Sequence, residues 1–158
     1  MHVRALVASS LTRCQTVTPD EWMNLISETR AAVFEQAFLF EVPLGSKEIL
    51  DGHEVRYGPW DPEACSTVLT IWFDLGWVGV YMPSEQAERW AKQPAMWMAQ
   101  LPAGHHPMLG KTEARELLTT PSSWTEDRAE GWAALLATDS APIADITVWF
   151  RDIPIPPG

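Results

Sequence analysis

Apolar residues between positions 19 and 40 fall on one stripe: Trp22, Ile26, Val33, Ala37 and Phe40 recur at spacings of three, four and seven. That period belongs to a helix with one buried face. Ahead of it stands Thr18-Pro19-Asp20-Glu21. A threonine cap, a proline at the first helical position and a glutamate two residues later mark a helix start. The pattern predicts a helix from Pro19 to Leu39.

Gly45-Ser46 and Asp51-Gly52 then interrupt the chain around a short piece, Lys47 to Leu50, and His53 to Tyr57 reads as a short strand. After Gly58-Pro59-Trp60, the run Asp61-Pro62-Glu63 repeats the helix-start chemistry of cap, proline and acid. Val68, Ile71, Trp72 and Leu75 make the apolar stripe of a helix from Pro62 to Leu75, and Gly76 supplies a C-terminal stop. Thr67, Val68, Thr70 and Ile71 are β-branched, so a strand remains the alternative for this segment. Stop signals at both ends favour the helix.

Trp77 to Tyr81 reads as a strand closed by Pro83, and Ser84 opens a further helix limited by Pro94. Leu101 to Gly110 is a loop, and Thr112 to Leu118 a short helix stopped by Pro121. Two β-leaning runs follow, Trp132–Thr138 and Ile143–Phe150, joined around Asp139-Ser140. Ile146, Val148 and Phe150 alternate, so the pair is expected to form a C-terminal hairpin. Residues 153–158 are a proline-rich tail. The expectation is one α+β domain over residues 1–152, with helices dominating its first two-thirds.

The stretch from Asp61-Pro62-Glu63 to Gly76-Trp77-Val78-Gly79-Val80-Tyr81 resembles the helix and first wing strand of winged-helix domains. It is also similar to a helix ending in Gly-Trp-Val before an aromatic strand in small bacterial proteins. The likeness spans residues 19–82. It implies a helix that presents its exposed side to a ligand, and winged-helix domains that bind DNA place Arg, Lys, Ser or Asn there. This helix carries Asp61, Glu63, Ser66 and Asp74 and no base. Contact with protein therefore suits it better than contact with DNA.

Charge strengthens that conclusion. Twenty-one acids face eleven bases, a formal net charge of -10. From Gln15 to Glu85 there are twelve acids and three bases, Arg30, Lys47 and Arg56. Nucleic-acid binding draws its affinity from bases that neutralise phosphate, so this balance argues against it. An acidic surface steers basic partners instead. Cys14 and Cys65 are too few for a disulfide framework. No stretch approaches the roughly twenty apolar residues of a membrane span. The expected setting is cytoplasmic, with no membrane association.

No cofactor or metal motif stands. His53-Glu54 begins a His-Glu-x-x-His pattern, but position 57 is Tyr57; Gly110-Lys111-Thr112 ends a phosphate loop whose first glycine position holds His105. No Gly-x-Ser-x-Gly elbow is present. Adjacent His105 and His106 lack a partner at helical chelating distance.

Nine tryptophans are the unusual feature. Trp22, Trp72 and Trp149 lie within apolar patterns and read as core. Trp60 and Trp124 lie in loops, where an exposed indole makes an interface anchor. Trp60, Asp61, Glu63 and Trp124 are thus the candidate partner-binding residues, with no catalytic or metal-ligating residue assigned. The leading expectation is a non-enzymatic module docking a basic protein, as an inhibitor or immunity-type protein does. A winged-helix-like regulator acting through the helix from Pro62, and a small enzyme using His105 or His106 with a carboxylate, are the alternatives.

Overall fold

The computed structural model describes residues 18–83 and 108–154. The helix expected from Ser84, His105, His106 and most of the proline-rich tail lie outside these residues.

Helix α1 spans Pro19–Phe34. The Glu21 N–H donates to Thr18 Oγ1 at 3.2 Å, so the threonine caps the helix. Trp22, Leu25, Ile26, Thr29, Ala32 and Val33 form its buried face. Thr29 satisfies its hydroxyl within the helix, donating to the Leu25 carbonyl at 2.7 Å. The helix stops five residues short of the expected Leu39. Gln36 turns to a left-handed φ of 58°. The Ala37 N–H then returns to Ala32 O at 2.9 Å and the Gln36 N–H to Val33 O at 3.2 Å. These two bonds are a Schellman closure. Leu39–Leu44, with Pro43 inside, continues as a 3-10 helix.

Strands β1 (Ser46–Leu50) and β2 (His53–Tyr57) pair antiparallel, from Leu50 opposite His53 to Ser46 opposite Tyr57. The short piece and the short strand of the sequence are thus one hairpin. Asp51 and Gly52 form its two-residue turn with φ of 51° and 80°, the doubly left-handed geometry that Asp-Gly favours. Every β1 residue is exposed.

Helix α2 covers Pro62–Asp74, which settles the alternative at residues 62–75 for helix. Ala64, Cys65, Ser66, Val68, Leu69 and Trp72 are its buried residues. Tertiary burial of that face outweighs the modest β preference of its branched residues. Its end repeats the closure of α1: the Trp77 N–H reaches Trp72 O at 3.0 Å and the Gly76 N–H reaches Phe73 O at 2.9 Å, with Gly76 at φ 85°.

Strand β3 (Val78–Tyr81) follows directly and pairs antiparallel with β4 (Ala134–Ala137). Helix α3 (Lys111–Leu118) lies between them in the chain and packs on α2. The buried Ser66 hydroxyl donates to the α3 carbonyl of Leu118 at 2.5 Å, stitching the two helices.

The expected C-terminal hairpin is not formed. Residues 134–137 take β3 as their partner, and Ile146–Phe150 is a 3-10 helix. Asp145 starts it, its carboxylate accepting from the Thr147 N–H at 3.0 Å and from the Thr147 hydroxyl at 2.6 Å. The apparent alternation misleads because Ile146 is exposed while Trp149, three residues on, is fully buried.

Trp22, Trp72 and Trp149 are core residues as the patterning suggests, at 2%, 1% and 0% exposure. One hydrophobic cluster joins α1, α2, β3, α3 and the C-terminal turns, an α+β architecture with two small antiparallel sheets. Replacing Trp149 by Ala is expected to cost about 3–5 kcal/mol, as large aromatic truncations in a core do. Denaturant unfolding checks this, and a loss under about 1 kcal/mol would show that the site relaxes around the missing ring.

Candidate functional site

β2 delivers Tyr57 to a sharp bend. Gly58 has φ 98° and is joined to Pro59 by a cis peptide, and the Trp60 N–H donates to the Pro43 carbonyl at 2.7 Å. Gly45, with φ 74°, lies against the same bend: a Cβ there would run into the Tyr57 carbonyl oxygen. A Cβ on Gly58 would meet Gly45 Cα at 3.0 Å and the Trp60 indole at 3.2 Å. Two glycines therefore let the start of β1, the end of β2 and the Trp60 ring share one small space.

That bend faces the beginning of α1 across a cleft of about 310 Å³. Glu21, Asn24 and Leu25 line it from α1, Arg56 and Tyr57 from β2, and Gly58, Pro59, Trp60 and Asp61 from the bend. Trp60 is half-buried. Its indole Nε1 is shielded from solvent and meets no acceptor among the described residues, a burden of about 1–3 kcal/mol for a buried donor.

The charges in the cleft differ in how they are engaged. Asp61 caps α2, its Oδ1 accepting from the Glu63 N–H at 3.3 Å. Glu21 is exposed on the first turn of α1. The Arg56 guanidinium sits 3.5 Å from Glu54, which also receives Lys47 at 3.6 Å. All three of those side chains are well exposed, so neither pair contributes much to stability.

Of the four candidates from the sequence, Trp60 and Asp61 meet in this cleft. Glu63 is half-buried on the first turn of α2 and is not among the lining residues. Trp124 is a correction: it is 4% exposed and its Nε1 donates to Leu117 O at 2.9 Å. A tryptophan in irregular backbone can be core when a helix end offers its indole a free carbonyl, as the last turn of α3 does here. Glu21, Asn24 and Tyr57 complete the cleft and carried no sequence signal. Glu21 read as a helix-start acid, and Tyr57 as the end of a strand.

Two other surfaces hold aromatic or apolar groups. Phe38, Phe40 and Trp132 are half-buried with ring centroids 4.6–5.8 Å apart. An open groove of about 840 Å³ is lined by β3, Met108, Leu109 and the exposed side of α3. Its Arg115 is committed to Asp74 through two contacts of 3.2 Å. That hydrogen bond and the adjoining negative charge hold the guanidinium's pKa above its ordinary value.

Among the described residues no group of three or more His, Cys, Asp or Glu is placed to hold a metal. His53 is exposed on β2 and Cys65 is buried in α2. No helix among the described residues is long and apolar enough to cross a membrane. Comparison of the chain with known protein families, with curated proteins and with solved structures gives no match.

The cap at Asp61 gives a direct prediction. Asp61→Ala should lower stability by about 1 kcal/mol through loss of the α2 cap, whereas Asp61→Asn should be nearly neutral because asparagine caps as well. Chemical denaturation of both variants checks it. Equal losses would mean that the carboxylate charge, not the cap, sustains the helix.

Proposed function

We propose that this chain is an acidic, tryptophan-rich, non-enzymatic interaction module that docks a basic protein surface. An inhibitor or immunity-type protein is its concrete form. The observation that carries the reading is the cleft at residues 57–61, where the indole of Trp60 and the carboxylate of Asp61 lie beside Glu21 and Tyr57. An aromatic anchor in a small depression, rimmed by charge, is the usual composition of an energetic centre in a protein interface.

The wider charge distribution supports the same reading. Lys47, Arg56, Arg115, Arg128 and Arg151 each lie beside a carboxylate of this chain. Asp20, Glu21, Glu35, Glu48 and Asp51 are exposed and stand outside those pairs. Several exposed carboxylates of a chain with net charge -10 thus lie on α1 and the hairpin. Such a field accelerates encounter with a basic protein and repels nucleic acid.

Affinity capture from the source cells, with and without nuclease and at low and moderate salt, tests the proposal. The expected result is one stoichiometric basic protein, retained after nuclease and weakened by salt. Its retention should fall roughly tenfold, about 1.4 kcal/mol, in Glu21→Lys and in Trp60→Ala. Capture of no basic protein, or capture indifferent to both substitutions, would overturn it.

A further inference from the structure

β1 and β2 form a sheet of their own, and β1 is its open edge. All five residues of β1 are exposed, with Ile49 at 69% and Leu50 at 47%. A two-stranded hairpin is marginal in water, and an open strand edge is a template for a further strand. Backbone directions show what the edge offers. Leu50 and His53 flank the two-residue turn, so they exchange hydrogen bonds. Bonded pairs alternate along an antiparallel ladder. Ser46, Glu48 and Leu50 therefore bond to β2, while Lys47 and Ile49 turn their N–H and C=O groups outward. Neither outward residue has a backbone partner among the described residues.

Charge decides what fits that edge, since charged side chains commonly guard an edge against a second copy of itself. When two β1 strands pair antiparallel about a two-fold axis, one residue meets itself and its neighbours meet each other in turn. Centred on Lys47, two ammonium groups stand directly opposite; centred on Glu48, two carboxylates do. Like charges so placed are destabilising. Centred on Ile49, the two isoleucines meet and exchange backbone hydrogen bonds. Lys47 of each copy then lies opposite Asp51 of the other, and Glu48 opposite Leu50. Asp51 is exposed and outside the ion pairs of the described residues. Lys47 lies 3.6 Å from Glu54, but that pair is exposed and weak. An ammonium has three donors and serves a second carboxylate without leaving the first.

We propose that β1 pairs with β1 of a second copy of this chain, antiparallel about Ile49, joining two hairpins into one four-stranded sheet. No β1 residue lines the cleft, so the pairing is separate from the interaction reading and leaves the cleft open. Two such short strands bury less than the roughly 1,200 Å² of a stable complex, so the dimer is weak. Each copy also carries a net charge of -10, a repulsion that moderate salt screens.

Sedimentation equilibrium of the full chain in moderate salt, up to about 1 mM protein, the scale of a weak complex, tests the proposal alongside nitrogen-15 spectra. The expected result is a monomer–dimer equilibrium in which the Ile49 N–H signal moves downfield with concentration as it gains an acceptor. Ile49→Pro removes that outward donor and no bond to β2, and should raise the dissociation constant at least tenfold. Asp51→Asn keeps the turn and removes both charge pairs between copies. It should raise the constant roughly fivefold, the scale of two exposed pairs, and it serves where proline disturbs the hairpin. A chain monomeric throughout, a dimer whose Ile49 signal stays still, or a dimer indifferent to Asp51→Asn would overturn the proposal. So would an Ile49 signal that moves only on adding a basic protein recovered by the capture above, which would give the edge to that protein.

Discussion

The C-terminal part of the chain is held to the rest by Trp149. Its ring meets Trp72 edge-on at 4.8 Å, Trp77 at 5.2 Å and Phe34 at 5.5 Å. Its Nε1 donates to Pro142 O at 2.9 Å, and its own carbonyl accepts from Trp72 Nε1 at 2.8 Å. The Arg30 guanidinium lies 5.4 Å from the same ring. One residue thus binds the last turn to α1, to α2 and to the entry of β3. The Trp72 and Trp149 indole N–H groups both find carbonyls, so these two rings are buried with their donors satisfied, while the Arg30 Nε beside them is buried without an acceptor among the described residues. The order of the chain around it follows: α1 and α2 converge on the ring, and β3 leaves α2 beside it.

This junction also explains which parts of the fold were legible in the sequence. Helix starts were readable because their chemistry is local: Thr18-Pro19 and Asp61-Pro62 each place a cap and a proline where the backbone needs them. The end of α2 was readable because Gly76 accepts a left-handed φ without strain. α1 ends by the same hydrogen-bond pattern, but Gln36 occupies the left-handed position, and a glutamine announces nothing. Its side chain accepts from the Tyr81 hydroxyl at 2.7 Å, a tertiary contact that no local pattern encodes. The C-terminal hairpin failed for a related reason. Alternation in residues 143–150 described a surface that packing on Trp149 replaces, and the strand at 134–137 found its partner more than fifty residues earlier.

The candidate site was half legible. Trp60 and Asp61 stood out by their position between a glycine-proline bend and a helix start, and the bend does place them together at a cleft. Trp124 shared the outward signs of an exposed anchor, yet the free carbonyls at the end of α3 give its indole a buried partner. Glu21, Asn24 and Tyr57 could not be foreseen, because their proximity to Trp60 depends on the packing of α1 against the hairpin. The two glycines, Gly45 and Gly58, let the bend itself close, because a Cβ at either would meet the facing backbone.

Asp61 has two occupations, since the same carboxylate closes the first turn of α2 and forms part of the cleft wall. Whatever draws it toward the cleft weakens its hold on the Glu63 N–H, and whatever tightens the cap withdraws charge from the cleft. Any ligand that engaged this carboxylate would be coupled thermodynamically to fraying of α2, equally in both directions. Replacement by a residue that cannot cap a helix costs α2 about 1 kcal/mol, so a short polar side chain suits this position best. On the opposite wall, Glu21 and Asn24 are exposed on α1, so substitutions there leave the core untouched.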